Sequence, residues 1–193
     1  MATASPSDAA APDVAAAVLG LARSRPATLG GSRLVCVDGP SGSGKTTLAA
    51  RIAGRAGADA VVVHTDDLLD GWDDLPGLPA RLAILLEPLA SGRASAYRRY
   101  DWHAGAYAEE VPVPPTPLLV VEGVGAGARL LDPWRTVLVW VGAREEVRVA
   151  RGVARDGAAV EPHLRRWRRA EADHFAHEAT AARADLRLDT SGT

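Results

Sequence analysis

Thiols are scarce in this chain. Cys36 is its single cysteine; it falls in an apolar stretch, which excludes a disulfide framework and points to a reducing, intracellular compartment. Long apolar runs are missing as well. None approaches the roughly 18 residues of a membrane span, and the N-terminus lacks a basic segment leading into an apolar core, so no signal peptide is expected. The expected location is cytoplasmic. An excess of one charge is also absent: a formal net charge of -2 and a pI near 6.2 give no reason to expect a nucleic-acid partner. Lysine is nearly absent too. Lys45 is the sole lysine, every other basic side chain being arginine. With 193 residues the chain is long enough for one domain with a real core.

The one lysine stands in Gly39-Pro40-Ser41-Gly42-Ser43-Gly44-Lys45-Thr46, which fits G-x-x-x-x-G-K-[ST] at every fixed position. Leu34–Val37 ahead of it reads as a buried strand, and the residues from Thr47 onward read as a helix. Strand, glycine loop and helix N-terminus aim several main-chain N–H groups at one point, where the helix dipole already favours an anion. Lys45 can reach the β- and γ-phosphates, and the Thr46 hydroxyl can ligate Mg²⁺. Gly39, Ser41, Gly42, Ser43, Gly44, Lys45, Thr46 and Thr47 are therefore candidate nucleotide-binding residues.

Residues 1–12 have little to bury and read as a disordered tail, leaving 13–193 as one domain. Asp13 is placed to cap a helix carrying Val14, Val18 and Leu21. A second strand at 60–63 ends at His64-Thr65-Asp66-Asp67. A Leu-rich helix from 78 closes at Pro88 and Gly92. An Arg- and Tyr-rich loop and a Pro-rich connector at 112–117 follow. Strands at 118–121 and 137–141, a helix over 144–155, an Arg-rich helix over 161–181 and a short strand at 186–188 complete the chain. Apolar runs of this kind alternating with helices predict a parallel sheet covered on both faces, with ligands at the carboxyl ends of its strands.

Those strand ends carry the candidate chemistry. Phosphoryl transfer needs oxygen ligands for Mg²⁺ and a base for the attacking hydroxyl. Asp66 or Asp67 follows the second strand, Asp66 being placed first as the base and as a metal ligand. Glu122 ends the third, where it binds Mg²⁺ directly or through water. Arg148, Arg151 and Arg155 share one helix face. Such a stripe is either a solvated surface or a lid, in which Arg148 binds nucleotide while Arg151 and Arg155 neutralise transition-state charge. Tyr100, Asp101 and Trp102 lie in the loop. There Trp102 or Tyr100 offers a flat face, and Asp101 either orders the loop or accepts from a hydroxyl. His163, His174 and His177 do not make a metal set.

In this order the segments resemble the uridine kinase branch of the P-loop kinases, a group that includes nicotinamide riboside kinase and phosphoribulokinase. The resemblance covers about residues 33–190 and rests on GPSGSGKTT, HTDD at 64–67, RYDWHAGAYAEE at 99–110, VVEG at 120–123 and R-x-x-R-x-x-x-R-D at 148–156. It implies a P-loop fold with a five-stranded parallel sheet and an Arg-bearing lid, use of ATP and Mg²⁺, and a catalytic aspartate at Asp66. Tyr100, Asp101 and Trp102 would then lie at a nucleoside-like acceptor. The chain departs from the pattern after Asp67, where Asp73 or Asp74 is left to hold the acceptor's hydroxyls, and again after Trp102. Both departures leave ATP use intact and open the acceptor to a vitamin, sugar or antibiotic hydroxyl. A regulatory NTPase is the rival reading. No N/T-K-x-D exists to read guanine, and no Asp-Glu pair follows the third strand.

Overall fold

The computed structural model describes residues 13–157 and 161–192, so the proposed tail at 1–12 lies outside the described residues. In chain order the elements are α1 (Val14–Ser24), β1 (Arg33–Asp38), α2 (Lys45–Ala56), β2 (Ala60–His64), α3 (Leu78–Ala90), β3 (Ser95–Asp101), β4 (Ala106–Val113), β5 (Leu118–Glu122), β6 (Arg135–Gly142), α4 (Glu145–Asp156), α5 (Glu161–Glu178), α6 (Thr180–Arg183) and β7 (Leu186–Asp189). Five strands form a parallel sheet in the order β2-β5-β1-β6-β7. β1 sits in the middle, with the strands that deliver His64 and Glu122 on one side of it.

Side chains alternate across the sheet, as period two requires. Leu34 and Cys36 of β1 join Leu119, Val121 and Leu138 in a core closed by the leucines of α3. Val35 and Val37 point the other way, into a core with Val120, Val137 and Val139 that α1 and α2 cover. Helices on both faces leave the carboxyl edge open for ligands. Asp13 caps α1, its carboxylate accepting from Ala16 N at 3.2 Å. The buried face of α1 is Ala15, Val18, Leu19 and Ala22, so Leu21 lies at its margin.

Two expectations change, while α3 closes between Pro88 and Gly92 as its sequence indicates. The segment at 95–113 is an antiparallel ribbon of β3 and β4, not a loop, and the connector shortens to 114–117. The ribbon's turn is closed by Asp101 and by Gly105 at φ +64°, and Pro112 is tolerated because a two-stranded ribbon has free edges. α3 runs on to Ala90 through Pro88, which sits in its last turn. There the ring removes an N–H while the Pro88 carbonyl still accepts from Ser91 and Arg93. The helix expected over 161–181 is broken at Ala179, whose φ of +50° ends α5 and starts α6.

Candidate functional site

The glycine loop joins β1 to α2 with Gly39, Gly42 and Gly44 all at positive φ. A Cβ at Gly42 would lie 2.6 Å from the carbonyl oxygen of Arg148, so only glycine lets α4 approach so closely. Three consecutive loop carbonyls are satisfied from outside. Ser41 O accepts from Arg148 Nη1 at 3.4 Å, Gly42 O from Arg151 Nη1 at 3.1 Å, and Ser43 O from the Thr190 hydroxyl at 2.8 Å. Arg151 also donates to Thr190 O at 2.8 Å. α4 thus holds Arg148 and Arg151 against the phosphate loop; the side chain of Arg155 lies outside the described residues.

Lys45 is 8% exposed, and its Nζ donates to Pro40 O at 3.1 Å. The Ser43 hydroxyl is buried with no hydrogen-bond partner among the described residues, which fits it to meet a phosphate oxygen. Beside Thr47 a groove of ≈ 1130 Å³ opens, lined also by Gly44, Arg51, Arg151, Leu188 and Thr190.

Thr46 and Glu122 meet at the other end of the loop. The Thr46 hydroxyl donates to Glu122 Oε1 at 3.0 Å, and His64 Nδ1 lies 2.5 Å from the same oxygen. That hydrogen bond holds the His64 pKa above its ordinary value. A hydroxyl and a carboxylate oxygen are the donors Mg²⁺ takes when phosphates and water complete its shell. No group of three or more His, Cys, Asp or Glu is arranged for a metal among the described residues.

Asp66 and Asp67 form a short turn after β2. Trp102 Nε1 donates to Asp66 O at 3.1 Å, and Tyr97 donates its hydroxyl to Asp67 Oδ2 at 3.2 Å, so the ribbon is tied to this turn twice. Tyr100 is buried, leaving Trp102 as the ring with an exposed face. Asp101 accepts from the main-chain N–H groups of His103 at 2.9 Å and Ala104 at 3.0 Å. Both bonds end on Oδ1, so one carboxylate oxygen orders the turn. Asp73 pairs with Arg166 of α5 at 3.1 Å, while Asp74 is engaged by Arg81 and by Asp70 N.

Three residues here escaped sequence reading. Asp38 ends β1 fully buried, accepting from Gly39 N at 2.7 Å, Gly125 N at 2.9 Å and Gly127 N at 2.8 Å. It locks the phosphate loop to the loop after β5. Burial outweighs those donors and the nearby Lys45, and pushes its carboxyl up to about 6. An acid on the Leu34–Cys36 face was its only signal. Trp72 meets Trp102 edge-on at 5.1 Å and stacks with His163 at 5.4 Å. Glu171 of α5 accepts from Ser41 N at 2.8 Å and from Trp167 Nε1 at 2.7 Å. Within an Arg-rich helix, nothing in the sequence distinguishes it.

The fold recurs in solved structures. The chain superposes with TM-score 0.58 on a protein assigned as a possible uridine kinase, from Bacillus stearothermophilus, at 20% identity over 82% of this chain and 89% of that one. It superposes with TM-score 0.62 on a protein assigned as a fructose transport system kinase, from Silicibacter sp. TM1040, at 22% identity over 92% and 100%. The chain shares the fold of these two proteins, an α/β P-loop fold around a five-stranded parallel sheet. No protein-family model matches the chain. In sequence it is 30% identical over 107 residues to a tRNA dimethylallyltransferase of Myxococcus xanthus (strain DK1622), covering 51% of this chain. The chain spans only 34% of that relative's length. No helix among the described residues is long and apolar enough to cross a membrane.

Proposed function

We propose that this P-loop protein is an ATP-dependent kinase that phosphorylates a hydroxyl of a small, nucleoside-like molecule. The observation that carries the reading is the position of the Thr46–Glu122 contact. It lies on the phosphate loop, which also borders the groove beside Thr47 and Thr190, and the Asp66 turn follows β2, the neighbour of Glu122's strand. The groove takes the nucleoside of ATP, and the Ser43 hydroxyl and the loop N–H groups take its phosphates. Lys45 leaves the Pro40 carbonyl for the β- and γ-phosphates. Thr46 and Glu122 would hold Mg²⁺, which would neutralise developing phosphate charge.

Transfer then follows from residues of this chain. Trp102 offers its exposed face to a flat acceptor. Asp66 takes the proton from the acceptor hydroxyl as that oxygen bonds to the γ-phosphorus, and the bond from that phosphorus to the β,γ-bridging oxygen breaks to release ADP. Arg148 and Arg151 keep the loop carbonyls facing away from the phosphates. Asp73, paired with Arg166, borders the acceptor side. A dimethylallyl transfer to tRNA, as in the curated relative, would call for a polyanion-binding surface, and the net charge of -2 does not favour one. The test is ATP consumption with a panel of nucleosides, vitamins, sugars and other small alcohols, using Lys45→Ala as the control. Acceptor-dependent ADP release that Lys45→Ala abolishes supports the proposal. ATP turnover indifferent to every acceptor supports a regulatory NTPase instead.

A further inference from the structure

The transfer chemistry leaves Glu171 without a role. The residue is 2% exposed, and its Oε1 takes the Ser41 main-chain N–H at 2.8 Å and the Trp167 indole N–H at 2.7 Å. The same indole lies 2.9 Å from the Ser41 hydroxyl. A carboxylate is therefore lodged against a loop whose N–H groups suit phosphate oxygens. Its place on that loop is informative. Lys45 Nζ rests on Pro40 O, one residue before Ser41, and Lys45 is the group that reaches the β- and γ-phosphates. Glu171 is thus bonded to the loop residue next to the carbonyl on which the Lys45 ammonium rests. Arg148 pairs with it only loosely, Nη1 standing 3.8 Å from Oε2 while also donating to Ser41 O.

We propose that Glu171 is a positioning residue, an internal anion that opposes the terminal phosphate until α5 is drawn aside. Like charges in a partly dry cleft repel more strongly than in water, and the third phosphate feels this most. The release route is the aromatic cluster. Trp167, one helical turn before Glu171, meets Trp72 edge-on at 6.1 Å, and Trp72 meets Trp102 at 5.1 Å. An acceptor entering beside Trp102 displaces these rings and, through Trp167, loosens the hydrogen bonds that hold Glu171 on Ser41. The triphosphate then seats fully only when something is present to receive its phosphoryl group. The inference rests on the kinase reading and adds to it the order in which the two substrates settle.

Calorimetric titration of wild type and Glu171→Gln with MgADP and the β,γ-imido analogue of MgATP tests this. The amide oxygen still accepts from Ser41 and Trp167, and only the charge is lost. The variant is expected to bind the triphosphate analogue about tenfold more tightly, with ADP affinity changed by less than about twofold. No change, or an equal change for both nucleotides, overturns the proposal and leaves Glu171 a strut of the fold. A wild type that binds neither nucleotide overturns the kinase reading itself, and this inference with it. The wild type also carries a test that needs no variant. It is expected to bind MgADP at least as tightly as the triphosphate analogue, and a clear preference for the triphosphate analogue overturns the proposal.

Discussion

The indole N–H of Trp102 donates to the main-chain carbonyl of Asp66 at 3.1 Å. One side chain thus belongs to the ribbon tip and to the proposed catalytic turn, while 36% of it remains exposed. Stacking on an aromatic face is worth roughly 1–3 kcal/mol for a flat ring. Trp102→Ala is therefore expected to raise the acceptor KM about tenfold to a hundredfold, leaving the KM for ATP unchanged. Trp102→Phe keeps a face and loses only the tie to Asp66, so its effect should fall mainly on kcat. Steady-state kinetics on both variants separate the two roles. Equal loss toward ATP and acceptor would show that the ring only packs.

Asp66 and Asp67 are adjacent but differently engaged. Tyr97 donates its hydroxyl to Asp67 Oδ2, and burial, with Asp67 beside it, raises the Tyr97 phenol pKa well above its usual range. That neutral phenol commits Asp67 to holding the ribbon. Asp66→Asn should lower kcat by more than about a hundredfold, the scale of losing a general base, with nucleotide affinity intact. Asp67→Asn should cost thermal stability instead. A large kcat loss in Asp67→Asn alone would move the base role one residue along.

What could be read in advance depended on how far apart the cooperating residues lie. Lys45, Thr46 and the loop glycines are contiguous, so spacing alone carries their chemistry. Glu122 and Asp66 were legible because a parallel sheet delivers its strand ends to one edge. The ribbon was not, because Tyr97-Arg98-Arg99-Tyr100 obscures the alternation that marks strands, and Gly105 is the only turn signal. Glu171 was beyond reach, since its partner Ser41 lies 130 residues away. The arginines were half legible. Their shared face on α4 was clear, but not that Arg148 and Arg151 would address loop carbonyls.

Asp101 makes a prediction about pH. Its carboxyl is held below the usual range, chiefly by the N–H groups of Ala104 and His103. Because the folded value lies below the unfolded one, the cap's contribution is fully present above about pH 4. It is lost as pH falls through the lowered value. The amide proton shifts of His103 and Ala104, followed by NMR, should titrate together below 3.8, the ordinary aspartate value. Asp101→Asn, which still accepts from both amides, should leave the acceptor KM unchanged, whereas Asp101→Ala should raise it by loosening the tip. Titration at or above the ordinary value would mean that the cap does not form in solution.

Glu122 receives Thr46 and His64 on one oxygen, Oε1. A glutamine can present its amide oxygen to both donors, so Glu122→Gln should fold normally and lose only the negative charge a cation needs. The half-saturating Mg²⁺ concentration for transfer, at fixed ATP, should rise by at least about tenfold. Saturating Mg²⁺ should restore much of the rate. The neighbouring glycine supplies a contrast. Gly123 lies at φ +135°, and an added Cβ would collide with the Thr65 hydroxyl, so Gly123→Ala disturbs the strand end itself. That variant should lose thermal stability, with a deficit that added Mg²⁺ does not repair. If Glu122→Gln behaved like Gly123→Ala, Glu122 would be a structural carboxylate and the cation would be held elsewhere.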